Sequence, residues 1–144
     1  GAVVLAVDVR GSGETGRGGT GSAEFSDVFF TYLLGQSLVG RRADDIAVAA
    51  RYLASLEPPL AGKPEIVAVG PITTVALHAV ALNPNSYSRL TLRGAVASWT
   101  DVIRDPTLPG QLANIVHGAL LEYDLPDLVA SLRPIPVVIE EPLR

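Results

Sequence analysis

The apolar run at residues 2–7 is the feature of this chain that most constrains its fold. It reads Ala-Val-Val-Leu-Ala-Val, so both faces of a strand formed there are apolar. Such strands lie inside sheets that helices cover on both sides, which is the usual setting of parallel strands. The run predicts a buried strand over residues 2–9 and, with it, an α/β fold.

The rest of the chain alternates between short apolar runs, typical of strands, and stretches in which apolar residues recur at helical spacing. Strands are expected at 65–69, 88–96 and 135–139, and helices at 24–34, 42–56, 73–82, 99–104, 110–122 and 125–132. Strands separated by helices imply parallel pairing. The expected architecture is one domain, residues 1–144, of three-layer αβα type with a mostly parallel sheet. A buried strand at the first residues also predicts that the domain is truncated and is part of a longer chain.

Composition argues against several classes of function. The 144 residues include no cysteine, which excludes disulfides, a cysteine nucleophile and a cysteine-based zinc site. The formal charge is −4 and the basic residues form no cluster, so nucleic acid is not an expected partner. No apolar run reaches about 18 residues, and no membrane span is predicted. The two histidines are far apart in the sequence, and neither a metal nor a cofactor is expected.

The glycine-rich loop after the first strand has two interpretations. Gly11, Gly13 and Gly16 match G-x-G-x-x-G, the pattern that holds a dinucleotide's pyrophosphate at a helix N-terminus. That pattern should open a helix, whereas here further glycines continue the loop to Gly21. Glu14 also places a negative charge where phosphates would lie. A nucleotide-binding α/β domain is therefore the less favoured alternative.

The second interpretation begins at Asp8. Residues 8–14 have the form D-x-R-G-x-G-x, which resembles the strand-end signature of α/β-hydrolases, notably the acetyl-xylan-esterase-like and related carboxylesterase branch. Residues 34–46, 76–79 and 123–128 are similar to later segments of that branch, in the same order. The resemblance covers most of the chain and implies an α/β-hydrolase-like domain. It also implies that Asp8 and Arg10 anchor the loop, and we expect them to pair with each other.

The nucleophile of α/β-hydrolases is the serine of G-x-S-x-G, which lies in a tight turn between a strand and a helix. The matching residues here run from Gly70 to Thr74. Gly70 takes the place of the first glycine, Ile72 that of the serine and Thr74 that of the last glycine. Ile72 has no nucleophilic atom. Thr73 and Thr74 are the remaining candidate nucleophiles, although capping or lining the first helical turn suits both hydroxyls better.

A catalytic triad also needs a histidine and a carboxylate. In this family the histidine follows the last strand, and the sequence has none after residue 139. His117, in the helix expected at 110–122, is a candidate base, and Asp101 is a candidate acid. The simpler expectations are a structural role for His78, a packing or surface role for His117, and a helix-cap role for Asp101.

These residues favour a non-catalytic or catalytically impaired relative of the carboxylic-ester esterases, with a small ester or carbohydrate as its expected ligand. The first alternative is an active esterase completed by a missing segment or a partner subunit. The apolar strand at 2–9 needs a neighbour on each side. Self-association through an exposed sheet edge, or association with the rest of a longer chain, is therefore expected.

Overall fold

The computed structural model describes residues 3–16, 22–105, 107 and 110–143. Within these residues the chain is an α/β fold with a three-stranded parallel sheet and five α-helices. The helices are α1 (Ser22–Leu33), α2 (Leu38–Ala54), α3 (Ile72–Leu82), α4 (Trp99–Arg104) and α5 (Leu125–Ser131). The strands are β1 (Glu65–Val69), β2 (Arg89–Arg93) and β3 (Val137–Glu140). None of the described helices is long and apolar enough to cross a membrane.

The three strands lie in sequence order and both pairs are parallel, which confirms the expected parallel α/β arrangement. Ala68 lies opposite Leu92, and Leu92 opposite Ile139, so these side chains share one face of the sheet. α3 packs against β1 and β2 on this face. On the other face, Val67 and Val69 are 60% and 62% exposed. The arrangement is compatible with a three-layer αβα fold.

Helix α3 is the centre of the core. Every residue from Thr73 to Val80 is buried, because α3 contacts the sheet, α2 and α5. A helix surrounded in this way must be apolar around its circumference. Two threonines and His78 are the only polar residues in α3, and the contacts of Thr73 and His78 are described below.

The strand expected at 2–9 is wrong over the part of it that the structure describes. Residues 3–9 contain no helix, turn or bend and belong to none of the described strands. Residues 3–8 are called the N-terminal segment below. Within the run Val9 is buried, whereas Val4 is 88% exposed. Apolar residues favour the extended conformation, but a strand also needs a neighbour whose N–H and C=O groups are within reach.

The helix expected at 110–122 is also wrong. Two short 3₁₀ turns, Leu112–Asn114 and Ala119–Leu121, take its place. Between them Ile115 is extended, with φ −86° and ψ 134°, and Gly118 is left-handed, with φ +74°. The left-handed conformation interrupts a helix, and glycine adopts it at little cost. The apolar spacing alone does not reveal this break.

The other expected helices and strands are confirmed with shifted ends. α2 begins four residues before the expected position because the Ser37 side chain accepts a hydrogen bond from the N–H of Gly40 at 2.9 Å and caps the helix. β2 ends at Arg93, where Gly94 turns the chain with φ +64°. Asp124 caps α5, a role that its position directly before the helix, with Pro126 in the first turn, indicates.

Candidate functional site

The turn between β1 and α3 is the place where the sequence predicts a nucleophile. Gly70 adopts the left-handed conformation there, with φ +68°. Its N–H donates to the carbonyl of Arg93 at 2.8 Å, so the end of β1 is tied to β2. Its carbonyl accepts from the N–H of Thr73 at 3.1 Å and from the Thr73 hydroxyl at 2.7 Å. The result is a tight strand–turn–helix junction that the hydroxyl of Thr73 helps to close.

The side chains of this turn face inward. Ile72 is the first residue of α3 and packs against the apolar core, so the position that matches the serine points into the protein. Thr73 and Thr74 are both buried. The hydroxyl of Thr73 is engaged with Gly70, which confirms the expected role in the first helical turn. None of these three residues offers an exposed nucleophilic oxygen.

His78 lies one helical turn beyond Thr74 and is buried. Its Nδ1 lies 2.7 Å from the carbonyl oxygen of Thr74, and its Nε2 lies 3.0 Å from the hydroxyl of Tyr123. A carbonyl only accepts hydrogen bonds, so Nδ1 must carry the proton and donate. In the neutral ring Nε2 then accepts from Tyr123. Burial lowers the pKa of His78 below its ordinary value, against the opposing effect of the hydrogen bond to Thr74.

The ring of His78 belongs to an aromatic cluster with Trp99 and Tyr123. The three ring centroids are 5.6–5.9 Å apart, and the rings are tilted with respect to each other. Trp99 also donates its indole N–H to the carbonyl of Asn114 at 3.0 Å. Both ring nitrogens of His78 are thus occupied inside a packed cluster. The structural role expected for this histidine is confirmed.

The candidate base and the candidate acid lie elsewhere. His117 is exposed in a turn and packs edge-on against Tyr32, with 5.2 Å between ring centroids. Asp101 is exposed on α4 and forms an ion pair with Arg104 at 3.4 Å. Among the described residues, no hydrogen bond joins His117 or Asp101 to Thr73. The structure therefore does not assemble these candidates into a triad.

The helix-cap role expected for Asp101 is wrong, because Ser98 caps α4 by accepting from the N–H of Thr100 at 2.9 Å. Asp124 adds a second acceptor at this helix start, over a long sequence separation. The carboxylate of Asp124 accepts from the hydroxyls of Ser98 (2.5 Å) and Thr100 (2.9 Å). It also accepts from the N–H groups of Trp99 (2.8 Å) and Leu125 (2.6 Å). One carboxylate thus serves the N-termini of both α4 and α5.

The environment of Asp124 keeps it ionised. Burial raises the pKa of its carboxyl, but the hydrogen bonds from Ser98, Trp99, Leu125 and Thr100 outweigh burial and lower the pKa to about 2. The sequence signals the cap on α5 through Asp124 and the proline that follows Leu125. It gives no signal for the contact with Ser98, which is 26 residues away. Structural donors occupy this carboxylate, which makes it a helix anchor rather than a base.

The expected Asp8–Arg10 pair is wrong as well. Arg10 binds Asp45 of α2: its Nε and its backbone N–H donate to Oδ2 at 2.9 and 3.0 Å, and Nη2 lies 2.5 Å from Oδ1. The hydrogen bond from Arg10 is the main reason that the pKa of Asp45 falls below its ordinary value. The carboxylate of Asp8 instead accepts from the N–H of Glu14 at 3.1 Å. The loop is anchored as the resemblance implies, but through a different acid.

Comparison with known proteins finds no matching family model, no matching curated protein and no matching solved structure. The function of the chain must therefore be inferred from its own residues.

Proposed function

We propose that this chain is a non-catalytic α/β-hydrolase-like domain, related to carboxylic-ester (acetyl xylan) esterases, that serves binding or assembly rather than hydrolysis. The β1–α3 turn is the observation that carries the proposal. It has the strand–turn–helix form and the left-handed Gly70 suited to a nucleophile elbow, but Ile72 occupies the nucleophile position. A second helical layer over the open face of the sheet would complete the three-layer architecture of such a domain.

The neighbouring hydroxyl does not replace the missing serine. A hydroxyl nucleophile needs a base within about 2.6–3.2 Å. The hydroxyl of Thr73 donates to the carbonyl of Gly70, and a carbonyl cannot take up its proton. His78, the histidine on the same helix, has both ring nitrogens engaged with Thr74 and Tyr123. The described residues thus supply no activated hydroxyl at this turn.

Nucleotide binding has less support. Glu14, in the glycine-rich loop, donates its N–H to Asp8, so a carboxylate already occupies an amide that a phosphate would need. A Cβ atom added at Gly13 would lie 2.0 Å from the same carboxylate oxygen. The glycine therefore makes room for the side chain of Asp8. A fixed negative charge at this point disfavours an anionic ligand.

Hydrolysis of p-nitrophenyl acetate tests the proposal. The wild-type protein should release p-nitrophenol no faster than buffer. Ile72→Ser should also remain at the buffer rate, because it restores a hydroxyl at the elbow position without supplying a base. Circular dichroism of each sample verifies that the protein is folded.

A wild-type rate above buffer that falls to the buffer rate in Thr73→Ala or Thr74→Ala would contradict the proposal. Hydrolysis that is absent here but present in a longer chain containing this domain would instead support the alternative of an esterase completed by additional segments.

A further inference from the structure

A groove separates the N-terminal segment from β1. Leu5, Ala6 and Val7 line one wall, and residues 64–68 line the other. The cavity between them has a volume of about 220 Å³. Its floor is apolar and is formed by side chains of α2 and α3, namely Ile46, Ala49, Ala50, Leu53, Ile72 and Ala76. The groove therefore has an apolar floor and two walls of extended chain.

β1 presents unpaired backbone groups to this groove. The N–H of Gly70 donates to the carbonyl of Arg93, in register with the pairing of Val69 and Arg93. In a parallel pair, successive residues point their N–H and C=O groups alternately toward and away from the neighbouring strand. Residues 66, 68 and 70 therefore face β2, and the backbone groups of Glu65, Val67 and Val69 face the groove.

The N-terminal segment also has backbone N–H and C=O groups without hydrogen-bond partners among the described residues. Within the part of the chain that the structure describes, the backbone of residues 3–8 makes no hydrogen bond. Val3, Val4 and Val7 are exposed. Burial of such apolar side chains is favourable. The segment thus has the apolar composition of a strand, contains no turn or bend, and lacks a neighbouring strand among those described.

A monomer does not close the groove with its own segment. Arg10, just after the segment, is held to α2 by its bonds to Asp45 and by the hydrogen bond from Arg42 Nε to its carbonyl at 3.0 Å. These bonds hold the end of the segment next to Arg10 at the far wall, and moving that end against β1 would break them. The strand that fills the groove must come from elsewhere.

We propose that two copies of this chain close both grooves by exchanging their N-terminal segments. A two-fold axis between the segments gives the strand order β1, the partner's segment, the protomer's own segment, then the partner's β1. Each groove then holds the other copy's segment, and the same contact occurs twice, as two-fold symmetry requires. Adjacent strands would lie about 4.8 Å apart and form one continuous sheet.

A second copy suits the groove because the chain itself carries the required occupant. An occupant of the groove must be an apolar strand in order to pack on the floor. It must also present N–H and C=O groups on both of its edges in order to pair with the two walls. Residues 3–8 meet both demands and are exposed in every copy. The inference goes beyond the proposed function, since it stands on backbone geometry whether or not the domain is hydrolase-like. The ester assay and the test below can therefore fail independently.

Sedimentation velocity with two matched pairs of variants tests the exchange. Ala6→Pro removes an N–H that is unpaired in the monomer but paired in the exchanged sheet, and Ala6→Ser keeps it. Val67→Pro likewise removes an N–H on the free edge of β1 without touching the bonds to β2, and Val67→Thr keeps it. Wild type and both controls should sediment as dimers, and both proline variants as folded monomers.

Hydrogen exchange on the wild type provides a readout that does not depend on the variants. The amides of Val67 and Val69 should be protected in the dimer and become exchangeable on dilution to monomer. The following results would overturn the proposal. The first is a wild type that remains monomeric up to about 100 µM, a concentration at which even weak specific interfaces associate. The second is a dimer that persists in the folded proline variants. The third is a dimer in which the amides of Val67 and Val69 both exchange freely. Protection of both amides in a monomer would also overturn it, because the edge would then be closed within one chain.

Discussion

At the scale of single residues, His78 makes stability depend on pH. Its buried ring is neutral when Nδ1 donates to Thr74 and Nε2 accepts from Tyr123. Protonation places a donor on Nε2 and a charge in an apolar cluster. Burial therefore lowers the pKa of His78 from its ordinary value of 6.5. When the folded pKa lies below the unfolded one, the stabilisation is complete above the unfolded pKa and is lost as the pH falls through the interval between the two.

We therefore expect the free energy of unfolding of the wild type to fall between about pH 7.5 and pH 5.5, the range around the unfolded pKa of histidine. His78→Gln should remove most of this decrease, whatever it does to stability at neutral pH. His117→Gln is the control and should retain the decrease, because it leaves His78 and its bonds to Thr74 and Tyr123 in place. Urea unfolding at several pH values measures the effect. A decrease of equal size in His78→Gln would contradict this account.

At the scale of secondary structure, one carboxylate stabilises the start of two helices. Asp124 accepts from Ser98, Trp99 and Thr100 at the start of α4 and from Leu125 at the start of α5. Helix N-termini leave N–H groups without partners, and a negative charge there also suits the helix dipole. The carboxylate thus links two short helices that contain six and seven residues.

Asp124→Ala should lower the free energy of unfolding by about 2 kcal/mol, because it removes the cap of α5, at about 1 kcal/mol, and also the acceptor for Ser98 and Trp99 at the start of α4. Asp101→Ala should change it by less than about 0.5 kcal/mol, since its ion pair with Arg104 is exposed. In the wild type, the contribution of Asp124 should be lost as the pH falls from about 4 toward its folded pKa of about 2. Equal effects of the two substitutions in urea unfolding would show that Asp124 does not link the helices.

The sequence predicts secondary structure well where local signals bound it. β1 and α3 lie where they are expected because the Gly70-Pro71 turn ends the strand and the Asn83-Pro84 pair ends the helix. The cap of α5 at Asp124 is equally local. The start of α2 at Leu38 was missed although Ser37 provides a cap signal, because the apolar period becomes regular only later in that helix.

Long-range contacts were not predictable in the same way. Arg10 binds Asp45, 35 residues away, rather than Asp8, and no spacing rule relates the two. The expected strand at 2–9 failed for the same reason, since strand pairing depends on a partner and not on the run alone. At the candidate site, the sequence predicts that no nucleophile is present at Ile72 and that His78 has a structural role. The packing of His78 between Trp99 and Tyr123, and the contact of Ile72 with the core, appear only in the fold.

At the scale of the whole molecule, the described sheet has one covered face, one open face and, at β1, an edge beside a groove. The covered face carries α3, and the open face carries Val67 and Val69. Exposed β-edges invite pairing with another strand unless they are blocked. The proposed exchange of N-terminal segments satisfies the free edge of β1, and the proposed second layer of helices would satisfy the open face. Both proposals give this domain a role in assembly.

The central claim is that the β1–α3 turn keeps the form of a nucleophile elbow without its chemistry. Intact-mass spectrometry after incubation with a fluorophosphonate, which reacts with activated hydroxyl groups, tests it most directly. The account predicts no mass increase for the folded wild type, because Ile72 offers no oxygen and the hydroxyl of Thr73 is hydrogen-bonded to Gly70. A stoichiometric adduct that maps to Thr73 or Thr74, and that does not form when the protein is unfolded before incubation, would contradict it.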